Sequence, residues 1–524
     1  MPLEVAYRGV MADPGVDGVS GAEPRTGGPQ RPASRGRLAL VVGPLVVAVV
    51  IVAVGLAVVQ ARLQPDSTSG PSSPAASSSS AALASSASPA SSHLATTSTT
   101  AAIVAVDRSG SASIVQPNGH ATALAADTRV AFGFPAWSPD GTRIAVVAER
   151  DAQTAISILD ARPDAVGAST KPTVVYRSAD IVPFYLSWAP DGHNVSFLAT
   201  ESSTDSLRIA PADGSAPLDG SGPGAMLRRG APLYYDWIGS DRLVLHVGTG
   251  PDAFLGEVGL DGSSAAPALA MPGDFRPAVV SRDQRYVAYA RVADTGESSL
   301  VVAARDGSGE HLVPVFGTAA LLFDPTADRV ASIGPDRPDV PNPGFLLGPL
   351  RLVDAASGAT RTLLDGTVVA FFWSPDGKTI AALRLEPAGG GSTAAIEPFA
   401  AVQARIGGTV VADAAVGGGR SVAAASPSPA PSRAPAFEVH LIFVDVATAG
   451  IRSQRVVRLG GRFIDELLPY FDQYALSHRL WAPDGSSFLL PVVGGTGATQ
   501  LVAFPVAGGD PTLSIDAEIG FWSP

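Results

Sequence analysis

Four aspartates recur in one setting, Asp140, Asp191, Asp376 and Asp484, each between a proline and a glycine. A ring of such carboxylates could bind a metal ion. The turn itself already explains them, because an Asp side chain bonds backbone amides two residues on and the following Gly takes a positive φ. The seven histidines, His93, His120, His193, His246, His311, His440 and His478, include no pair at metal-ligand spacing. There is no Cys, which excludes thiolate metal sites, disulfides and cysteine nucleophiles, and no G-x-S-x-G elbow. Gly377-Lys378-Thr379 has the ending of a phosphate loop, but Phe372 stands where that loop needs its first Gly. The calcium-loop pattern is missing, and the glycosylation acceptor Asn194-Val195-Ser196 falls on a predicted strand. No catalytic, cofactor-binding or metal-binding residue is assigned, no cofactor is expected, and the chain does not read as an enzyme.

The elements that carry these residues form an internal repeat. AWSPDGTRIAVVA begins at Ala136, SWAPDGHNVSFLA at Ser187, FWSPDGKTIAALR at Phe372 and LWAPDGSSFLLPV at Leu480. Weaker copies start at Asp236, Val279 and Leu322, and GFWSP closes the chain. The anchors Trp137, Trp188, Trp237, Val280, Phe323, Trp373, Trp481 and Trp522 are 41 to 51 residues apart, except for one interval of 108. In each copy an aromatic ends a strand, Pro-Asp-Gly turns the chain, and an alternating run forms the next strand. Two further short strands follow, so each unit is a four-stranded sheet that needs neighbours to bury its faces. An aromatic recurring once per unit reads as packing between such sheets rather than as a ligand platform.

The predicted fold is all-β: a β-propeller of four-stranded blades, eight of them, or seven if one degenerate copy is lost. Three strands precede the first anchor, from Ala101, Ser111 and Ala121, and lack an inner partner, while EIGFWSP is an inner strand lacking the other three. Pairing them would close the ring with one mixed blade and remove two open edges. The WSPDG and WAPDG motifs resemble those of TolB-like propellers, a WD-repeat-like family whose repeats also occur in prolyl oligopeptidase and dipeptidyl peptidase propellers. The resemblance covers residues 101–524 and implies a binding platform more than any one activity. Unlike those peptidases, the chain has no room for a hydrolase domain.

The remainder of the 524 residues is organised differently. Residues 1–37 are Gly/Pro/Ala-rich and read as a disordered cytoplasmic tail. Leu38–Val59 is 22 uncharged residues, about 33 Å as a helix, long enough for a single-pass transmembrane signal anchor. Arg25, Arg31, Arg35 and Arg37 precede it, which places the N-terminus in the cytoplasm and the rest outside. Residues 60–100 form a Ser/Ala/Pro-rich linker, and 101–524 form the propeller. The net charge of −12 argues against a nucleic-acid partner.

Three insertions depart from the repeat: Pro335–Gly348, the low-complexity 386–435, and Gly460–Ser477. All belong to loops expected on the face opposite the Pro-Asp-Gly turns. The third contributes a candidate partner-binding rim of Phe463, Leu467, Tyr470, Phe471 and Tyr474 in a short helix-like stretch. The expected function is a membrane-anchored, extracytoplasmic propeller of a bacterial cell, with an unknown protein or cell-envelope ligand as partner. The alternative is an enzyme or small-molecule sensor with its site in the central channel, which charged side chains converging there would favour.

Overall fold

The computed structural model describes residues 101–524 apart from 125–128, 152, 163–170, 202–203, 222–224, 249–252, 265–268, 270–277, 293–297, 316–318, 336–346 and 388–436. The expectations for 1–37, 38–59, 60–100 and nearly all of 386–435 therefore lie outside the described residues. No helix among the described residues is long and apolar enough to cross a membrane.

The described chain is all-β and almost wholly antiparallel. The sheet Ala131–Trp137, Arg143–Arg150, Gln153–Asp160 and Thr173–Ser178 shows the plan: four strands in sequence order, each pairing with the next. Val182–Trp188 begins a second such sheet and Val279–Val280 a third, while Leu233–Ile238 begins one with three strands among the described residues. Ala320–Phe323 through Ile451–Val457 make one seven-stranded sheet, because Thr360–Trp373 serves two neighbours. Its first half pairs with Gly348–Asp354 and its second half with Thr379–Pro387. In the last sheet, which contains Ser487–Val493, the first strand is reduced to a Trp481–Phe488 bridge. The terminal strands pair, with Ile103 opposite Trp522 and Val106 opposite Ile519.

Alternation along each strand explains how the sheets stack, since successive side chains face opposite neighbours. One apolar cluster joins the first two complete sheets through Ile156, Tyr176, Trp188 and Phe197. Another joins the terminal pair to the last sheet through Ile103, Val115, Leu489 and Leu501. Each fully buried aliphatic side chain contributes roughly 1.5–3 kcal/mol.

The repeat anchors are also linked by hydrogen bonds. Trp137 Nε1 donates to the Phe521 carbonyl at 3.0 Å, Trp188 to Ala136 at 3.0 Å, Trp373 to Leu322 at 3.1 Å and Trp481 to Phe372 at 3.1 Å. In every case the acceptor is the residue just before the anchor of the preceding repeat. The belt continues through a relay at Trp237, whose Nε1 donates to Ser196 Oγ (3.2 Å), which donates to the Ser187 carbonyl (2.9 Å). Where Val280 replaces the indole, its backbone N–H donates instead to Asp236 Oδ2 (3.2 Å). The turn aspartates do the work expected of them: Asp140 Oδ1 accepts from Ser138 Oγ (2.6 Å) and the Thr142 amide (3.0 Å), and Gly141 has φ +68°.

Candidate functional site

Val182–Trp188, Leu233–Ile238, Ala320–Phe323 and the second half of Thr360–Trp373 meet the Gly460–Ser477 insertion. It folds as a π-helical turn, Phe463–Leu467, a 3-10 turn, Leu468–Tyr470, and an α-helical turn, Phe471–Ala475. The backbone N–H of Ile464 bonds the Gly460 carbonyl at 3.1 Å, which starts the turn. Arg462 Nε and Glu466 Oε2 pair across it at 2.8 Å.

The five candidate rim residues are placed plainly. Phe463, Leu467, Phe471 and Tyr474 are buried, and Tyr470 is partly buried. Phe471 meets the edges of Phe371 and Phe372, with ring centroids 5.5 and 5.7 Å away. Tyr474 sits edge-on to Tyr185 at 5.2 Å. The insertion thus packs inward, onto strands of other sheets, instead of spreading its aromatics along an outer rim. The physical reason is the geometry of its connection: it enters beside converging strands whose own side chains are apolar, and six large hydrophobic side chains bury more area there than on an exposed edge.

Gln473 fastens the plug. Its Oε1 accepts the Tyr235 N–H (3.0 Å), and its Nε2 donates to the Tyr235 carbonyl (2.7 Å) and to Tyr185 Oη (2.8 Å). The side-chain amide thereby satisfies both backbone groups of a residue on an inner strand, where no further strand can pair. Tyr185 lies at a bulge between Phe184 and Leu186 with φ of 45°, a strained conformation for a bulky residue. The bulge turns its hydroxyl to the plug, where it donates to the Gln473 carbonyl at 2.9 Å. Burial raises the Tyr185 hydroxyl's pKa well above its ordinary value.

Beyond the plug, on the turn side, lies a funnel of about 310 Å³. Trp137, Trp188, Trp237 and Trp522 line it together with Asp236, His478 and Arg479. Burial pushes the Asp236 carboxyl up to about 7, against the pull of the Val280 and Trp237 amides. Burial also pushes the His478 imidazole down to about 3, so the ring is neutral. Its Nδ1 lies 2.6 Å from Ser477 Oγ, and the ring rests edge-on against Phe521 with centroids 4.6 Å apart. The Arg479 guanidinium is held below its ordinary pKa by its protein surroundings first and by the nearby Arg282 charge second. Its side chain reaches solvent at the mouth. Two buried atoms of the lining have no hydrogen-bond partner, His478 Nε2 and Trp522 Nε1.

A larger, shallower depression of about 550 Å³ is lined by Asp107, Arg108, Arg462 and Glu518 among others. Its charges already answer one another: Arg108 pairs with Glu518 at 3.0 Å, and Asp107 Oδ1 takes the Ser109 and Ser111 amides. The funnel, with unanswered groups, is the stronger candidate. Among the described residues no group of three or more His, Cys, Asp or Glu is placed to hold a metal ion.

Sequence reasoning gave none of the funnel's polar residues a role in a site. Asp236 carried a readable signal, since the position before the anchor is Ala136, Ser187, Phe372 and Leu480 in the well-kept repeats. Gln473 and Ser477 inside the insertion, and His478 and Arg479 between it and the next motif, carried none, because no repeat frames them.

No family model and no curated protein matches the chain. Solved structures do. TolB from Acinetobacter baumannii aligns with 14% identity and a TM-score of 0.31, over 51% of this chain and 63% of that one, so less than two thirds of that protein is spanned. A putative TolB from Agrobacterium tumefaciens aligns with 16% identity and a TM-score of 0.29, over 51% and 89%. The dihydro-heme d1 dehydrogenase NirN aligns with 12% identity and a TM-score of 0.42, over 80% and 74%.

Proposed function

We propose that this chain is a non-enzymatic binding propeller of eight blades, held outside the cytoplasmic membrane by Leu38–Val59, whose working surface is the central funnel. The eight-blade count takes the seven-stranded sheet as two blades sharing Thr360–Trp373 and the terminal strands as one mixed blade. The observation that carries the ligand-binding reading is the blind funnel: aromatic packing fills the channel beyond it, while its wall keeps buried polar atoms without partners. Buried polar groups are ordinarily satisfied, and sites that bind small molecules are concave, mostly apolar and marked by a few such groups. This favours a small ligand over a protein docked on the insertion rim, whose aromatics face inward. The N-terminal arginines and the 22-residue apolar run support the membrane placement.

Two measurements test it. The chain has no cysteine, so a Ser308→Cys variant carries a single thiol at an exposed position. Labelling of intact cells by a membrane-impermeant maleimide is expected, and labelling only after lysis would overturn the placement. For the funnel, the detergent-solubilised full chain is screened by thermal shift against a small-molecule library. Hits that vanish in Arg479→Gln are expected; a library without hits would return the protein-platform reading to the front.

A further inference from the structure

Resting on the funnel as a small-ligand site, one residue of its wall bears on the charge of the ligand. Gln473 takes both backbone groups of Tyr235, so those groups point off the inner edge of Leu233–Ile238. In an antiparallel ladder the next residue turns the other way, and the backbone groups of Asp236 point at Val244 on the paired strand. Asp236 is nonetheless partly accessible and belongs to the funnel lining, so the surface it leaves open there is that of its side chain. Tyr185 fixes its depth: the Asp236 charge is among the influences that raise this buried hydroxyl, so the carboxyl lies beside the plug.

This carboxyl has no countercharge. Oδ2 accepts the Val280 N–H at 3.2 Å, and what acts on the group is burial and the amides of Val280 and Trp237. Among the described residues no Arg, Lys or His does so, His478 and Arg479 of the same wall included. Three sheltered carboxylates elsewhere are answered by arginine: Asp324 by Arg329, Glu201 by Arg208 and Glu257 by Arg305. A sheltered carboxylate without such a partner is costly, and either a proton or a cation from outside relieves it. The wall suits the second. Trp237 is also partly accessible there, and the face of an indole attracts cations. Trp188, in the same wall, already carries the Arg143 guanidinium over its ring at 4.8 Å.

We propose that the funnel binds a small organic cation, with its ammonium group against the Asp236 carboxylate and its alkyl groups against the indoles. A cavity of about 310 Å³ accepts such an ion with accompanying water. The pairing is coupled to a proton, with a definite sign. Without a cation the Asp236 carboxyl sits at about 7, so below that pH a cation enters only as the carboxyl gives its proton to solvent. Affinity therefore rises about tenfold per pH unit between about pH 5 and 6, and levels off above about 7.

Isothermal titration of the detergent-solubilised full chain tests this with choline, n-butylammonium and 3,3-dimethyl-1-butanol, the uncharged counterpart of choline. At about pH 7.5 at least one cation binds, about tenfold or more tighter than the alcohol. Asp236→Asn keeps the shape of the side chain and removes a charge that burial opposes, so the variant folds. It weakens the cation about tenfold and abolishes the pH slope. An alcohol that binds the unaltered chain as tightly as both cations overturns the charge assignment, as does a cation whose affinity and slope survive in Asp236→Asn. If neither cation binds at about 10 mM while library hits persist, the ligand class is wrong and the funnel reading stands. If nothing binds, both fall.

Discussion

The plug and the funnel share the strands Val182–Trp188 and Leu233–Ile238, yet one is filled and the other hollow. At the plug, Gln473 answers both backbone groups of Tyr235, Tyr185 answers Gln473, and Phe471 is fully buried between Phe371 and Phe372. At the funnel, His478 Nε2 and Trp522 Nε1 are buried with no partner. An unsatisfied buried polar atom costs about 1–3 kcal/mol, so the plug resembles a finished core and the funnel a core awaiting one more component. The difference separates residues that hold the fold from residues free to recognise something else.

The sharpest way to break the contrast is to empty the plug. Phe471→Ala removes a ring that meets two others and should cost about 3–5 kcal/mol by chemical denaturation. A cost under about 1 kcal/mol would mean the insertion does not pack as described. Gln473→Leu keeps volume but strands the Tyr235 N–H and carbonyl, and should cost about 2–3 kcal/mol.

Titration gives an intermediate effect of opposite sign at two residues. The folded Asp236 carboxyl sits at about 7 against an ordinary 3.8, so the folded state holds its proton more tightly. The stability linked to it is present below pH 3.8 and lost as pH rises to 7. His478 goes the other way: at about 3 against an ordinary 6.5, its stability is present above 6.5 and lost as pH falls toward 3. Asp236→Asn should therefore gain about 1–3 kcal/mol at pH 8 relative to the unaltered chain, with little change near pH 4, in denaturation midpoints measured across pH. A flat difference between the two pH values would place Asp236 in open water.

The smallest effect compares two indoles. Trp137→Phe removes a donor from the Phe521 carbonyl and should cost about 1 kcal/mol beyond the lost ring area. Trp522→Phe removes a donor that has no acceptor and should cost distinctly less. Equal costs would erase the distinction between belt and funnel.

What could be read in the sequence follows the same division. The sheets were legible because each repeats one local grammar, and Asp140 and Gly141 behave as any Asp-Gly turn must. The pairing of Ile103–Val106 with Ile519–Trp522 was legible because two incomplete units complement each other. The sharing of Thr360–Trp373 was not: Asp365-Gly366 reads as a turn, but Gly366 takes φ +94° within a strand that carries on. The site was harder still. The aromatics in the insertion read as a partner-binding rim, and only strands distant in sequence, brought beside them, show them packing inward. A single glutamine, serine or histidine has no periodicity, so its role exists only once Tyr185 and Tyr235 are brought beside it.

The seam between the chain's terminal strands has a mechanical consequence. Ile103 lies opposite Trp522, so the two strands present neighbouring ends to any force applied through residues 101 and 524. Pulled from there, the ladder opens like a zipper, one pair at a time, instead of resisting as a block under shear. Four register pairs then separate before any other sheet bears load, and the molecule should yield at this seam at low tension in a single-molecule stretching trace.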